Sequence, residues 1–288
     1  MAKARDIGRR MKSVQSTKKI TRTMEMVATS KLRRAQERVR QARPYAERLT
    51  SVIASLIDPQ LIEIEPILRQ PDRIRRAAVL LLTSNRGLCG GFNVNLIRKT
   101  RDLMSRLEES DVDVELHVVG KKGISYFRFR QVEMAGKHTD ISDRPSTEDA
   151  RALIDPLAER FVAGDLDAVY IVHAEFRSVM STPPATRQLL PVHVPEEKSE
   201  RAANFILSPS AKEILATVLP LYVTNVTYRG LVESAAAEQG ARRTAMKSAT
   251  DNAEEFLGNL RRDYNRARQA EITQQISEII GGAEALTG

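Results

Sequence analysis

The residues best placed for chemistry form one glycine-rich string, Ser84-Asn85-Arg86-Gly87-Leu88-Cys89-Gly90-Gly91-Phe92, set between an apolar run and a helix-like stretch. A turn of that kind can gather backbone N–H groups and a helix N-terminus around a phosphate. Neither the dinucleotide fingerprint spacing nor the Lys-Ser/Thr pair of a P-loop is present. Tight turning and close helix–strand contact account for the same glycines, so a nucleotide site stands here as the second reading. Cys89 is the one cysteine. It has no histidine near it in sequence to serve as base, and it reads as a small turn residue. A single thiol leaves no internal disulfide. The histidines, His117, His138, His173 and His193, show no metal-ligand spacing. Carboxylate neighbours such as Glu108 and Glu109, or Glu254 and Glu255, read as solvated faces. No catalytic residue, metal or cofactor is assigned, and an enzyme acting alone is not expected.

Charge is the stronger signal. The formal net charge is +8, yet residues 1–57 hold fifteen Lys/Arg against four acids, while residues 210–288 hold nine basic and ten acidic residues. The positive field belongs to one segment, which calls for an acidic counterpart. Nucleic-acid binding adds aromatic stacking platforms to basic charge, and the first aromatic of the chain is Tyr45. A membrane-surface helix sets bulky apolar residues opposite its lysines; here the apolar positions form a narrow seam of Ala, Val, Met and Leu. An acidic protein surface around a coiled coil fits better than either, with a basic coiled-coil nucleic-acid binder kept as the alternative.

These residues must be positioned by three kinds of element. From Ala28 the apolar positions run Leu32, Ala35, Val39, Ala42, Ala46, Leu49, Ile53 and Leu56, alternating steps of 4 and 3 as a coiled coil does. Upstream, Ile7, Met11 and Val14 keep that spacing, but Lys18, Thr21 and Glu25 then occupy the seam. The seam is weak there. Pro44 is expected to kink this helix or mark a short irregularity. The last stretch opens on Ser208-Pro209-Ser210, a start signal with Ser as cap. Further on Ala245, Ala249, Ala253, Phe256, Leu260, Tyr264 and Ala267 recur as an eleven-residue repeat, which implies a nearly straight helix pair. A bend is expected near Pro220.

Between the helices the texture changes. Residues 77–83, 113–119, 168–174 and 186–192 read as strands, the first and third as buried apolar runs. Helix-like stretches at 92–109, 121–130 and 147–163 alternate with them, which predicts a small, mostly parallel sheet with helices on its faces. Segments 58–71 and 183–184 carry prolines and read as boundary connections. The expected fold class is α/β plus a long antiparallel α-helical coiled coil, with a small Rossmann-like domain inserted between N- and C-terminal helices. The expected domains are 1–57, 58–209 and 210–288. Two terminal helices leaving one small domain side by side run antiparallel.

Several strings in register now carry a resemblance. Val-Gln-Ser-Thr-Lys-Lys-Ile-Thr-Arg-Thr-Met-Glu-Met-Val-Ala-Thr-Ser-Lys at 14–31 resembles the N-terminal signature of the gamma subunit of F-type ATP synthases. Arg43-Pro44-Tyr45-Ala46-Glu47, the Arg86-to-Gly91 turn, the 238–252 stretch and Tyr264-Asn265-Arg266-Ala267-Arg268-Gln269-Ala270-Glu271-Ile272-Thr273 are similar in the same order. The resemblance implies a central rotor stalk inside a hexamer of alternating alpha and beta subunits, with an epsilon subunit alongside and a membrane-embedded c-subunit ring below. Rotation would couple proton flow to ATP synthesis or hydrolysis, with no catalysis on the shaft and a part in regulating both ATPase activity and proton flow. It further implies partner contacts at Met24, Arg242, Arg268 and Gln269, and a peripheral place on the cytoplasmic face of the bacterial inner membrane. Gly87, Cys89 and Gly90 would serve the structure of the central domain. Relatives with thiol control carry an inserted cysteine pair, which this chain lacks. Segment 272–286 has no Lys or Arg and carries Ile272, Ile276, Ile279 and Ile280, as an apolar bearing would.

Overall fold

The computed structural model describes residues 4–56, 65–193 and 210–287. Its elements run α1 (Ala4–Leu56), a 3-10 turn (Pro66–Leu68), β1 (Arg76–Leu82), α2 (Phe92–Glu109), β2 (Asp113–Val119), α3 (Lys121–Phe129), β3 (Gly136–His138), α4 (Thr147–Val162), β4 (Ala168–Ala174), β5 (Pro184–Leu190) and α5 (Ala211–Thr287). The chain divides into two compact units, one made of Met1–Ala28 with Arg242–Gly288, the other of Thr29–Ala241.

In the larger unit the strands lie in the order β3-β2-β1-β4-β5. The pairs β1–β2, β1–β4 and β2–β3 are parallel, and β4–β5 is antiparallel. Strand β1 sits centrally, and its side chains alternate between faces as a pleat requires. Val79 and Leu81 join Leu96 and Ile97 of α2, Ile124 and Phe127 of α3, Leu32, Ala35 and Val39 of α1, and Val232 and Ala236 of α5. Ala78, Leu80 and Leu82 face the other way, to Leu153, Ile154 and Leu157 of α4, Ile53 and Leu56 of α1, and Leu215 and Leu219 of α5. Each fully buried Leu or Ile removes enough apolar area from water to stabilise by about 1.5–3 kcal/mol. Ser146 caps α4: its Oγ accepts from Asp149 N at 3.1 Å, and the Asp149 carboxylate accepts from Ser146 N at 2.8 Å.

Two strand expectations need correction. β5 begins two residues early, at Pro184, so that proline belongs to a strand and not to a connection; an edge strand tolerates a residue with no N–H to give. β3 is not predicted from the sequence, because three residues, Gly-Lys-His, carry no periodic pattern. Pro220 lies inside α5 and Pro44 inside α1. The cap of α5 is Ser210, whose Oγ accepts from Glu213 N at 3.3 Å; Ser208 and Pro209 lie outside the described residues, as does the part of the first connection at 58–64.

In the smaller unit α1 and α5 pair antiparallel: Ala4 N donates to Glu271, Gly8 approaches Tyr264, Lys18 meets Glu254 and Thr21 meets Thr250. The buried residues of α5 in this unit are Arg242, Met246, Thr250, Ala253, Leu257 and Leu260, stepping 4, 4, 3, 4, 3. Phe256, chosen for its apolar ring, is 51% exposed, while Leu257 beside it is buried.

Candidate protein-binding surface

The polar gap in the N-terminal seam is filled by matched partners. Thr21 Oγ1 lies 2.8 Å from Thr250 Oγ1. Each hydroxyl also lies within hydrogen-bond reach of a carbonyl on its own helix, Lys18 O and Met246 O. Lys18 Nζ reaches Glu254 Oε1 at 2.8 Å, and that hydrogen bond and charge hold the Glu254 carboxyl below its usual range. Buried hydroxyls cost free energy unless paired; Thr21 and Thr250 are paired across the two helices. With Thr21 and Thr250 turned inward, Arg5, Arg9, Arg10, Lys12, Lys19 and Arg22 stay exposed. The basic field is therefore presented outward, where it can meet acids of another molecule.

All four candidate contact residues fall in the helix-pair unit. Met24 is half-buried, Arg242 is buried, and Arg268 and Gln269 are exposed. They do not form one cluster. At about 1.5 Å per residue, Arg242 and Arg268 are separated by roughly 39 Å along α5. Met24 lies three residues beyond Thr21, toward the Arg242 end of the pair. Beyond Gln269, Ile272, Ile276, Ile279 and Ile280 are all exposed, spaced as a stripe along one side of the helix.

The glycine turn, in contrast, spends its donors on itself. Ser84 N donates to Asn93 Oδ1 at 3.0 Å, Asn93 Nδ2 to Cys89 Sγ at 3.2 Å, and Phe92 N to Cys89 O at 3.2 Å. Cys89 is buried. Gly90 has φ 56°, and Leu88 takes φ 62°, a region that glycine enters freely and other residues rarely. Beside the turn an open pocket of about 160 Å³ is lined by Gly91, Phe92, Asn95, Leu96, Ala174 and Thr182, with Pro184 and Ala241. None of these is a cation that would pair with a phosphate. Among the described residues no group of three His, Cys, Asp or Glu side chains could hold a metal ion. No described helix is long and apolar enough to cross a membrane.

Sequence reasoning located the basic helix but missed the Thr21–Thr250 and Lys18–Glu254 pairs. The signal was there in the polar residues occupying a seam; their partners, more than two hundred residues away, carried none.

A basic long helix paired with a second, and a small five-stranded α/β unit, define a scaffold class of protein whose surfaces are laid out for other proteins. The ATP synthase family model matches residues 3–286. The ATP synthase gamma chain of Gemmatimonas aurantiaca is 54% identical over the full length of both chains, and that of Desulfitobacterium hafniense is 44% identical over 99% of this chain and all of the relative. The chain belongs to the ATP synthase gamma chain family. In fold it is similar to a chain of the Euglena gracilis mitochondrial ATP synthase OSCP/F1/c-ring structure, with a TM-score of 0.67 at 18% identity over 98% of this chain and 94% of that one. A chain of the Tetrahymena thermophila mitochondrial ATP synthase central stalk and c-ring gives 0.63 at 22% identity over 80% of this chain and 99% of that one. Family membership leaves the nucleic-acid alternative without support.

Proposed function

We propose that this chain is the central rotor stalk of an F-type ATP synthase, a non-catalytic subunit that couples proton flow through a membrane c-subunit ring to ATP synthesis and hydrolysis on an alpha/beta hexamer. The observation that carries this reading is the antiparallel pairing of α1 with α5 in a chain that matches gamma chains end to end. Such a pair transmits twist because each helix is braced by the other along its length. An axle without threefold symmetry presents a different side to each of three catalytic sites, and so biases their conformations in turn. The exposed arginines and lysines of α1 face acidic surfaces of the hexamer, with Met24 and Arg242 at one level and Arg268 and Gln269 at another. Such contacts are weak individually, since exposed ion pairs contribute about 0–1 kcal/mol, which suits a surface that must keep moving. The residue 58–209 domain meets the c-ring and the epsilon subunit, and the assembly sits peripherally on the cytoplasmic face of the bacterial inner membrane.

Mixing the purified chain with alpha and beta subunits tests this. Co-purification with the hexamer and raised ATP turnover are expected; a hexamer indifferent to the chain overturns the reading. In assembled enzyme, Arg268→Glu is expected to lower proton pumping per ATP hydrolysed while the chain stays folded. Unchanged pumping removes Arg268 from the contact set.

A further inference from the structure

Glu115 and His117 of β2, with Gly136 and His138 of β3, stand on one face of the sheet. His117 pairs with Gly136 and Val119 with His138, and every second residue along a strand shares a face. Arg160 of α4 donates to both Glu115 oxygens, at 2.6 and 3.0 Å. His117 Nε2 lies 3.0 Å from Glu115 Oε1. Burial pushes the Glu115 carboxyl up, but the hydrogen bonds and charges of Arg160 and His117 together hold it below its ordinary range. Glu115 is therefore an anion, and His117 Nε2 donates to it.

A Cβ added at Gly136 would stand 2.3 Å from His117 Nδ1 and 3.0 Å from His138 Nε2. The two imidazoles thus border a space that only glycine leaves open. His138 is pushed below its ordinary value of 6.5, first by burial and then by His117, with Asp140 opposing. The charged groups around the pair are Glu115 from β2, Arg160 from α4 and Asp140 from the segment after β3. Glu115 is engaged by Arg160, so only Asp140 is left to offset a charge on His138.

β3 has three residues at the sheet edge, and few ladder bonds hold so short a strand. The loop that follows it is gripped from two sides. Asn85 Nδ2 donates to Thr139 O at 3.2 Å and Ile141 O at 3.0 Å. From α1, Lys31 Nζ reaches Asp143 Oδ2 at 2.5 Å and Arg38 donates to the Asp143 carbonyl at 3.1 Å. Arg38 Nε is buried with no hydrogen-bond partner, so the grip is incompletely satisfied even when closed.

We propose that His138, set beside His117, forms a proton-operated latch: with His138 neutral, β3 closes the sheet edge and the loop behind it holds α1 through Asp143, and protonation of His138 lifts β3 and that loop and releases Lys31 and Arg38. The sign follows from linkage. In the lifted strand His138 returns to its ordinary value and binds a proton more tightly than in the closed one. The closed form is therefore favoured above that value and loses ground as pH falls through it and below.

Hydrogen–deuterium exchange on the full chain, at about pH 7.5 and about pH 5.5 and corrected for the chemical exchange rate, reads the latch directly. Residues 136–143 are expected to exchange about tenfold faster at the lower pH, with residues 79–81 of β1 unchanged. Equal rates at both pH values, or an increase shared by β1, overturn the proposal. His138→Asn should remove the acid response and His117→Asn should weaken it, since burial still opposes a charge on His138 when His117 is gone. Should one variant not fold, the other decides, and a wild-type response in it refutes the latch.

Discussion

The two units of this chain are held together by different means. The sheet unit buries whole branched side chains: Val79, Leu80 and Leu81 are fully inaccessible and are covered from both faces. The helix-pair unit has a narrow seam of Ala4, Ile7, Thr21, Ala28, Met246, Thr250, Ala253, Leu257 and Leu260, joined by a hydroxyl pair. Apolar burial scales with area, so the sheet unit draws on depth. The helix pair draws on length, many small contacts repeated along two rods, each of modest worth. Small residues let helix backbones approach closely and keep the surface thin, and they leave no single position that dominates.

Three substitutions test that contrast, from the largest effect down. Leu80→Ala removes a fully buried side chain and should cost about 3 kcal/mol in denaturant unfolding of the sheet unit, as a cavity in a close-packed core does. A loss below about 1 kcal/mol would mean that the core collapses around the gap, and the depth argument would fail. Thr250→Val keeps the shape and removes the hydroxyl that meets Thr21. It should cost about 1 kcal/mol, read as faster amide exchange in the 14–25 stretch of α1. Lys18→Met breaks the pair with the largely exposed Glu254. No measurable change in melting temperature is expected, because water screens the pair; a clear drop would show that charge, and not the seam, holds the helices.

What the sequence made legible follows the same division. β1, β2 and β4 were readable because their apolar runs are continuous or alternating, and α2 began at its true first residue after the double glycine. Ala28, Leu32, Ala35, Val39, Ala42, Ile53 and Leu56 were readable as buried, but not what covers them: Leu32, Ala35 and Val39 share a cluster with strand and helix residues of the sheet unit. Periodicity reports that a side chain faces inward and is silent about its neighbour. Phe256 was misplaced for the same reason, since hydropathy favours a phenyl ring while the register of the opposite helix favours Leu257. Met24, Arg242, Arg268 and Gln269 came from family resemblance and not from spacing; no local pattern sets a contact residue on an exposed helix apart from its solvated neighbours.

Pro220 sits on the exposed side of α5, one turn after Ala216, which is exposed as well. A proline brings no amide hydrogen, so the Ala216 carbonyl has no helical donor and is left to water. Thr224 donates its hydroxyl to the Pro220 carbonyl at 2.9 Å, which reinforces the next rung. The outcome is a single unbraced rung in a 77-residue helix, on its wet side and away from Leu215 and Leu219. Flexure imposed on this rod has a soft coordinate at a known address, and the core beneath is spared the deformation.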